Sequence, residues 1–185
     1  MLQGSIVKGF DSDGNIICYI QRKYVFVTEG LYDGSFSNGL VGAHAACNTE
    51  AEAAGLTGVY LAWISDSTLS PLAMMMKHQV PYVLPSNEVV ASDWEDLTDG
   101  ALYHAINQTA DGTVVTSGYV WTATSVYGTH DISHGVANCS NWTTSSNLES
   151  AGTGDVLANN NYWSDNSGSQ SHSCDEMLRI YCIQQ

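Results

Sequence analysis

The sequence predicts an α+β domain with antiparallel strands, one main helix and long loops in its C-terminal half. Three observations predict it. Short β-prone runs recur along the chain, separated by Gly, Ser, Asn and Asp. A single Ala-rich stretch, VGAHAACNTEAEAA at 41–54, has strong helix propensity over its whole length. Beyond residue 100 helical patterns vanish, and strands and loops take over.

The elements follow in order. Two β-prone runs, IVKGF at 6–10 and IICYI at 16–20, flank DSDGN at 11–15, which is a hairpin turn signal. A two-stranded hairpin is marginal alone, so it needs a cover. YVFVT at 24–28 is a strong strand, and a Gly/Ser/Asn loop follows at 30–39. The helix at 41–54 ends at Gly55. YLAWI at 60–64 reads as a buried strand closed by Ser65, Asp66 and Ser67. Pro71 near the start of SPLAMMM, 70–76, marks a short helix, with its three methionines read as core filler. YVLP at 82–85 and EVVA at 88–91 form a small hairpin. Within SDWEDL, 92–97, a cap followed by acids in the first turn begins a brief helix. GTVVT at 112–116 and YVWT at 119–122 are strands, and MLRIYC at 177–182 is the last one. No internal repeat is present.

Composition narrows the function. The chain has 185 residues, enough for one domain with an appendage, and 44% of them are apolar. Formal charge is −14, with five Lys and Arg in all. Phosphate backbones require clustered cations, which excludes nucleic-acid and heparin-like partners. No apolar run reaches the ~20 residues of a membrane helix. Only 13% of residues are charged, so polarity comes from Ser, Thr, Asn and Gly, groups that hydrogen-bond to neutral polar partners.

Five cysteines in such a chain indicate an oxidising compartment, with a secreted or cell-surface location. None lies in a C-x-x-C pair, so zinc-ribbon and thioredoxin-like sites are unsupported. Four cysteines can pair in three ways, and Cys18, far upstream, is the natural odd one out. Met1 opens on a mixed segment without a basic region followed by an apolar one. No signal peptide is therefore expected here, and the chain reads as a piece of a longer protein.

The order of several features is recognisable. Cys47 lies on the helix, and GLTGVYLAWIS at 55–65 follows it. Trp94-Glu95-Asp96-Leu97, Val120-Trp121-Thr122, Cys139-Ser140-Asn141-Trp142, and Cys174 with Ile180-Tyr181-Cys182 come next. Over 24–185 this resembles the endostatin-like branch of the C-type-lectin-like fold, and more closely a bacterial group of lectin-like domains. The resemblance implies nested disulfides, Cys47–Cys182 and Cys139–Cys174, with Cys18 left over as a buried free thiol or an inter-chain bridge. Residues 1–23, with the phrase GFDSDGNIIC at 9–18, resemble the ends of tail-fibre-like stalks, which are trimeric and carry a variable tip.

Residues 137–185 carry the recognition question. Cys139, Cys174 and Cys182 frame a polar run that buries too little apolar surface to fold alone, so cross-links would turn it into a presented loop. Trp163-Ser164-Asp165 resembles the Trp-Asn-Asp strand of calcium-dependent lectins, but Ser164 stands where those carry a ligating Asn, and their Glu-Pro-Asn or Gln-Pro-Asp loop is missing. Asp155, Asn159, Asn160, Asn161 and Asp165 could supply some of the six to eight oxygens calcium takes. Calcium is discounted, and no cofactor is expected. His130 and His134, four apart, would suit zinc on a helix, but Gly128 and Gly135 place them in a loop, where a solvated pair is the simpler account. A sugar site would stack aromatics on pyranose faces and offer Asn and Asp to hydroxyls. Candidates are Asn159, Asn160, Asn161, Tyr162, Trp163 and Asp165, with Tyr127, His130 and His134 opposite. Core packing is the competing role for each aromatic, and turn formation for each Asn.

No Gly-x-Ser-x-Gly elbow is present, so no enzyme is expected. The expectation is a non-enzymatic adhesin tip: 1–23 ends a stalk and assembles a homotrimer, and 24–185 binds a glycan or another envelope component. A structural or protein-interaction module without sugar binding is the alternative, and a polysaccharide hydrolase ranks behind both.

Overall fold

The computed structural model describes residues 5–130, 137–166 and 171–185. The expected N-terminal hairpin is present. β1 (Ser5–Phe10) and β2 (Ile16–Ile20) pair antiparallel with each other and form a separate two-stranded sheet. The Asp11 carboxylate builds the turn by accepting from the backbone N–H of Asp13 at 2.9 Å and of Asn15 at 2.8 Å. Cys18 lies on β2 opposite Val7. Its thiol falls outside the described side chains.

The domain proper is a mixed α+β structure. Its strands are β3 (Lys23–Val27), β4 (Tyr60–Ala62), β5 (Tyr82–Val83), β6 (Val89–Ala91), β7 (Tyr119–Trp121), β8 (Ser150–Asp155), β9 (Ser171–Ser173) and β10 (Arg179–Gln184). The helices are α1 (Leu40–Ala53), α2 (Pro71–Met74) and α3 (Trp94–Leu97). One sheet runs β6-β5-β3-β10-β7-β8-β9, with β4 also paired to β10. The strands were expected to be antiparallel, but β10 with β7 and β3 with β5 are parallel. β10 is the hub. Tyr181, Cys182 and Ile183 face Val27, Phe26 and Val25 of β3, while Arg179 and Ile180 face Val120 and Trp121 of β7.

Alternation along β3 and β10 builds a core on each face of the sheet. Val25, Val27, Tyr181 and Ile183 join one cluster with Trp63, Trp94, Leu97, Ile106 and Trp163. Phe26, Ile180 and Cys182 join the other, with α1, Tyr60, Trp121 and Trp142. α1 buries Leu40, Ala43, Cys47 and Ala51, a helical stripe of small and medium side chains. The same helix completes the free edge of β4. His44 Nδ1 accepts from Ala62 N at 3.0 Å, and the Asn48 amide bonds both Tyr60 N at 2.9 Å and Tyr60 O at 2.7 Å. Burial lowers the His44 pKa and so favours the neutral ring that this acceptor role requires.

Both bridges implied by the resemblance are formed. Cys47–Cys182 ties α1 to β10, and Cys139–Cys174 closes the polar segment. Gly34 makes room for the second bridge, because a Cβ there would lie 2.3 Å from Cys139 Sγ.

Other expectations need correction. GTVVT at 112–116 is not a strand. It makes one isolated bridge, Gln108↔Val114, and Val114 is exposed. The Asp111 carboxylate, accepting from Thr113 N and Thr109 Oγ1, curls the chain back instead. The last strand begins two residues later than expected, since Met177 is exposed. Of the three methionines only Met75 is in the core, and Met76 faces out. Past residue 100, Cys139–Trp142 forms a single left-handed turn with φ of 50°, 52°, 59° and 62° and no glycine in it.

Candidate functional site

Trp163 and Ser164 lie inside the domain and hold up the surface around them. Trp163 is fully buried, with its ring centroid 5.0 Å from that of Trp63 and 5.7 Å from that of Tyr181. Trp63 in turn stands 6.0 Å from Trp94. Ser164 is also fully buried. Trp63 Nε1 donates to its Oγ at 2.7 Å, and that hydroxyl donates to Thr124 O at 2.8 Å. Thr122 Oγ1 donates to Ser164 O at 2.7 Å. Trp163, proposed from sequence as a ligand-stacking residue, is therefore a core residue. It was too large and flat to leave unburied beside three other aromatics.

Three loops converge over this post. The first is the turn at Asn161–Trp163, a single 3-10 turn capped by the Asn160 side chain, which accepts from Tyr162 N at 3.1 Å. The second is the 124–130 loop. It is closed by Ser125 N donating to Thr129 O at 2.8 Å and Gly128 N to Ser125 O at 2.9 Å, and is anchored where Leu72 N donates to Gly128 O at 2.8 Å. The third is the 98–103 loop, where Leu102 N donates to Asn159 O at 2.8 Å. They meet at Gly100, whose φ is +101°. A Cβ on Gly100 would lie 2.6 Å from Asn161 Oδ1 and 3.7 Å from Val126 Cγ2. Glycine is required there both by the backbone angle and by the side chain seated on it.

The sequence-predicted residues divide accordingly. Asn159, Asn160, Asn161 and Tyr162 are exposed on the first loop and Tyr127 on the second, and Asn161 and Val126 of these loops both come close to Gly100. Asp165 is partly exposed, with its N–H donating to Asn161 O at 3.1 Å. His130 is partly buried and pairs with Thr124 as an isolated bridge. It neighbours Asp66. Burial tends to raise the Asp66 carboxyl. Hydrogen bonds from Thr68 N, Leu69 N and Thr68 Oγ1, with help from His130, outweigh burial and hold it below the usual carboxylate range. His134 lies outside the described residues.

Sequence reasoning missed Tyr103. It is 59% exposed, more than Tyr162 at 49%, and follows directly on the residue that bonds Asn159. The Asp99-Gly100 turn signal just before it was the clue available. A tyrosine after such a turn, with no strand alternation around it, has no core face to occupy.

The oxygens considered for calcium are differently engaged. Ser164 Oγ is enclosed between Trp63 and Thr124. Asn160 Oδ1 accepts from Tyr162 N, and Asp155 Oδ1 accepts from Leu157 N at 2.9 Å. Asn161 Oδ1 is seated against Gly100. Ser164, with its hydroxyl enclosed, does not supply the oxygen that the corresponding Asn supplies in calcium-dependent lectins. Among the described residues no group of three or more His, Cys, Asp or Glu side chains is placed to hold a metal ion. Elsewhere, a depression of about 200 Å³ lies between Glu29, Glu50 and Thr109–Asp111, but the Glu50 carboxylate there is structural. It accepts from Glu29 N at 2.7 Å, Gly30 N at 3.0 Å and the Tyr32 hydroxyl at 3.2 Å. No protein-family model matches this sequence, and no curated protein matches it.

Proposed function

We propose that this chain is a non-enzymatic, C-type-lectin-like receptor-binding tip. It would end a trimeric surface fibre and recognise a glycan or another envelope component. The observation that carries this reading is the three-loop face. Its backbone is locked onto a buried tryptophan post, while tyrosines and asparagines on it remain exposed. Rigid support with free polar and aromatic side chains suits recognition, because little entropy is lost when a ligand is engaged. The nested disulfides agree with the endostatin-like resemblance. They also fit an oxidising, extracellular compartment, and no described helix is long and apolar enough to cross a membrane.

The hairpin supports assembly. Phe10 and Ile16 are cross-strand partners, yet they are 67% and 59% exposed. A hairpin that pairs only with itself gains stability by packing this apolar end against copies of itself. His172 has the Glu176 carboxylate on its Nδ1 at 2.8 Å, and among the described residues no hydroxyl meets its Nε2, so no described nucleophile completes a catalytic relay there.

Light scattering of the whole chain and a broad glycan array test the proposal. A trimer that splits to monomer in Phe10→Lys, together with glycan signals on the array, is expected. A monomeric wild-type chain would refute the assembly, and a blank array the glycan role.

A further inference from the structure

We infer that the three-loop face takes an uncharged saccharide, stacks it on Tyr103, Tyr127 and Tyr162, and does so without a metal ion. This rests on the recognition role proposed above and makes its ligand class specific.

Charge selects against acidic sugars. The stretches 98–103, 125–130 and 159–165 read TDGALY, SVYGTH and NNNYWSD, and contain no Lys or Arg. Asp99 and Asp165 are the only charges they hold besides the titratable His130. Three of the chain's five cations are engaged elsewhere. Arg22 donates to Asn87 at 2.7 Å, Lys23 to Gln185 O at 2.6 Å, and Arg179 to the carbonyls of Thr28 and Glu29. A uronate, sialate, sulfate or phosphate brought to this face would lose water and meet carboxylates with no cation to replace it. Hydroxyl and acetamido groups carry no such cost.

The groups on offer match a neutral sugar. Tyrosine rings present flat apolar faces with a polar rim, suited to the C–H face of a pyranose. Asn159 is exposed, and its amide combines a donor and an acceptor, the pairing that adjacent sugar hydroxyls use.

Metal-bridged recognition of the calcium-lectin kind lacks one of its ligands for a chemical reason. The position occupied by an Asn in calcium lectins is Ser164, whose hydroxyl is sealed in the core between Trp63 Nε1 and Thr124 O. The carbonyls of Asn159, Asn160 and Asn161 hold the loop by accepting from Leu102, Trp163 and Asp165. The exposed side chains then meet hydroxyls directly.

The test is an array of neutral hexose and N-acetylhexosamine oligosaccharides printed beside their sialylated, uronylated, sulfated and phosphorylated counterparts. It is read with and without EDTA. Neutral binding unchanged by EDTA is expected. Replacing Tyr103, Tyr127 or Tyr162 with Ala should weaken it about tenfold each, and the Phe variants should retain most of it. All three side chains are exposed, so folding is preserved, and far-UV dichroism checks this. Binding confined to acidic glycans, or abolished by EDTA, overturns the inference and leaves the recognition role standing. Neutral binding indifferent to all three Ala variants overturns the placement. A blank array overturns both the inference and the glycan role on which it rests.

Discussion

Replacing Ser164 with Ala removes one oxygen from a fully buried position. Its effect follows from two bonds. Trp63 Nε1 now donates to Ser164 Oγ at 2.7 Å, and Ser164 Oγ donates to Thr124 O at 2.8 Å. Alanine leaves the indole N–H with no acceptor in a dry aromatic cluster. An unsatisfied buried group costs about 1–3 kcal/mol, and the lost bond to Thr124 adds about 1 kcal/mol. A total of about 3 kcal/mol corresponds to a fall in Tm of about 6–12 °C for a chain of this size. Thermal unfolding followed by near-UV dichroism reads both the shift and the aromatic cluster. Ser164→Asn, which restores the calcium-lectin residue, should also destabilise, because the larger amide has no space in the core. It should gain no calcium-dependent stabilisation. A Ser164→Ala shift under 2 °C, or a Ser164→Asn variant stabilised by millimolar calcium, would refute the view that this residue is a structural post.

Three further outcomes follow. Gly100→Ala combines a φ of +101° with a 2.6 Å clash at Asn161 Oδ1, so it should cost about 1–3 kcal/mol and speed hydrogen exchange in the 159–163 turn; unchanged exchange there would argue against the seat. Removing Cys47–Cys182, which closes 135 residues, should cost about 5 kcal/mol in urea unfolding; removing Cys139–Cys174, which closes 35, should cost about 4 kcal/mol, and the reverse order would contradict loop closure as the cause. The Glu176 carboxyl is held below its ordinary value of 4.5, by its hydrogen bond with His172 first, against the opposing effect of burial. A carboxyl depressed on folding contributes stability that is full above its unfolded pKa and is lost as pH falls through the folded one. Glu176→Gln should therefore lower Tm at pH 7, where that contribution is full, and the gap to the wild-type chain should close as pH falls below about 4.5, as read from acid titrations of Tm.

What sequence could reach was mostly local. DSDGN fixed the first hairpin because Asp11 bonds its own turn. The Ala-rich run became α1, and alternation in RIYCIQ placed β10 across two cores. Pairing direction was not legible. Whether β7 meets β10 parallel depends on contacts between segments far apart in sequence, on which local propensity is silent. The 112–116 run failed as a strand because Asp111 offered a local turn that competed with the sheet. At the candidate face, the exposed Asn and Tyr side chains were anticipated. Trp163 was not separable from them, since a stacking tryptophan and a core tryptophan are spelled alike.

The central position of β10 has a consequence for biosynthesis. β3, β4 and β7 are all made before their shared partner, and Ile183 must find Val25 near the other end of the chain. Until Arg179–Gln184 has emerged, the β6-β5-β3 and β7-β8-β9 parts can pair within themselves but not with each other, and β4 has no strand partner. Folding is then a late, concerted event dominated by distant contacts, which places it among slow folders. Ribosomal stalling or proteolysis before Arg179 would release a sticky, unfinished sheet rather than a smaller working domain. Oxidation of Cys47 with Cys182 cannot occur before Cys182 itself has been made, so this bridge joins α1 to β10 late in synthesis.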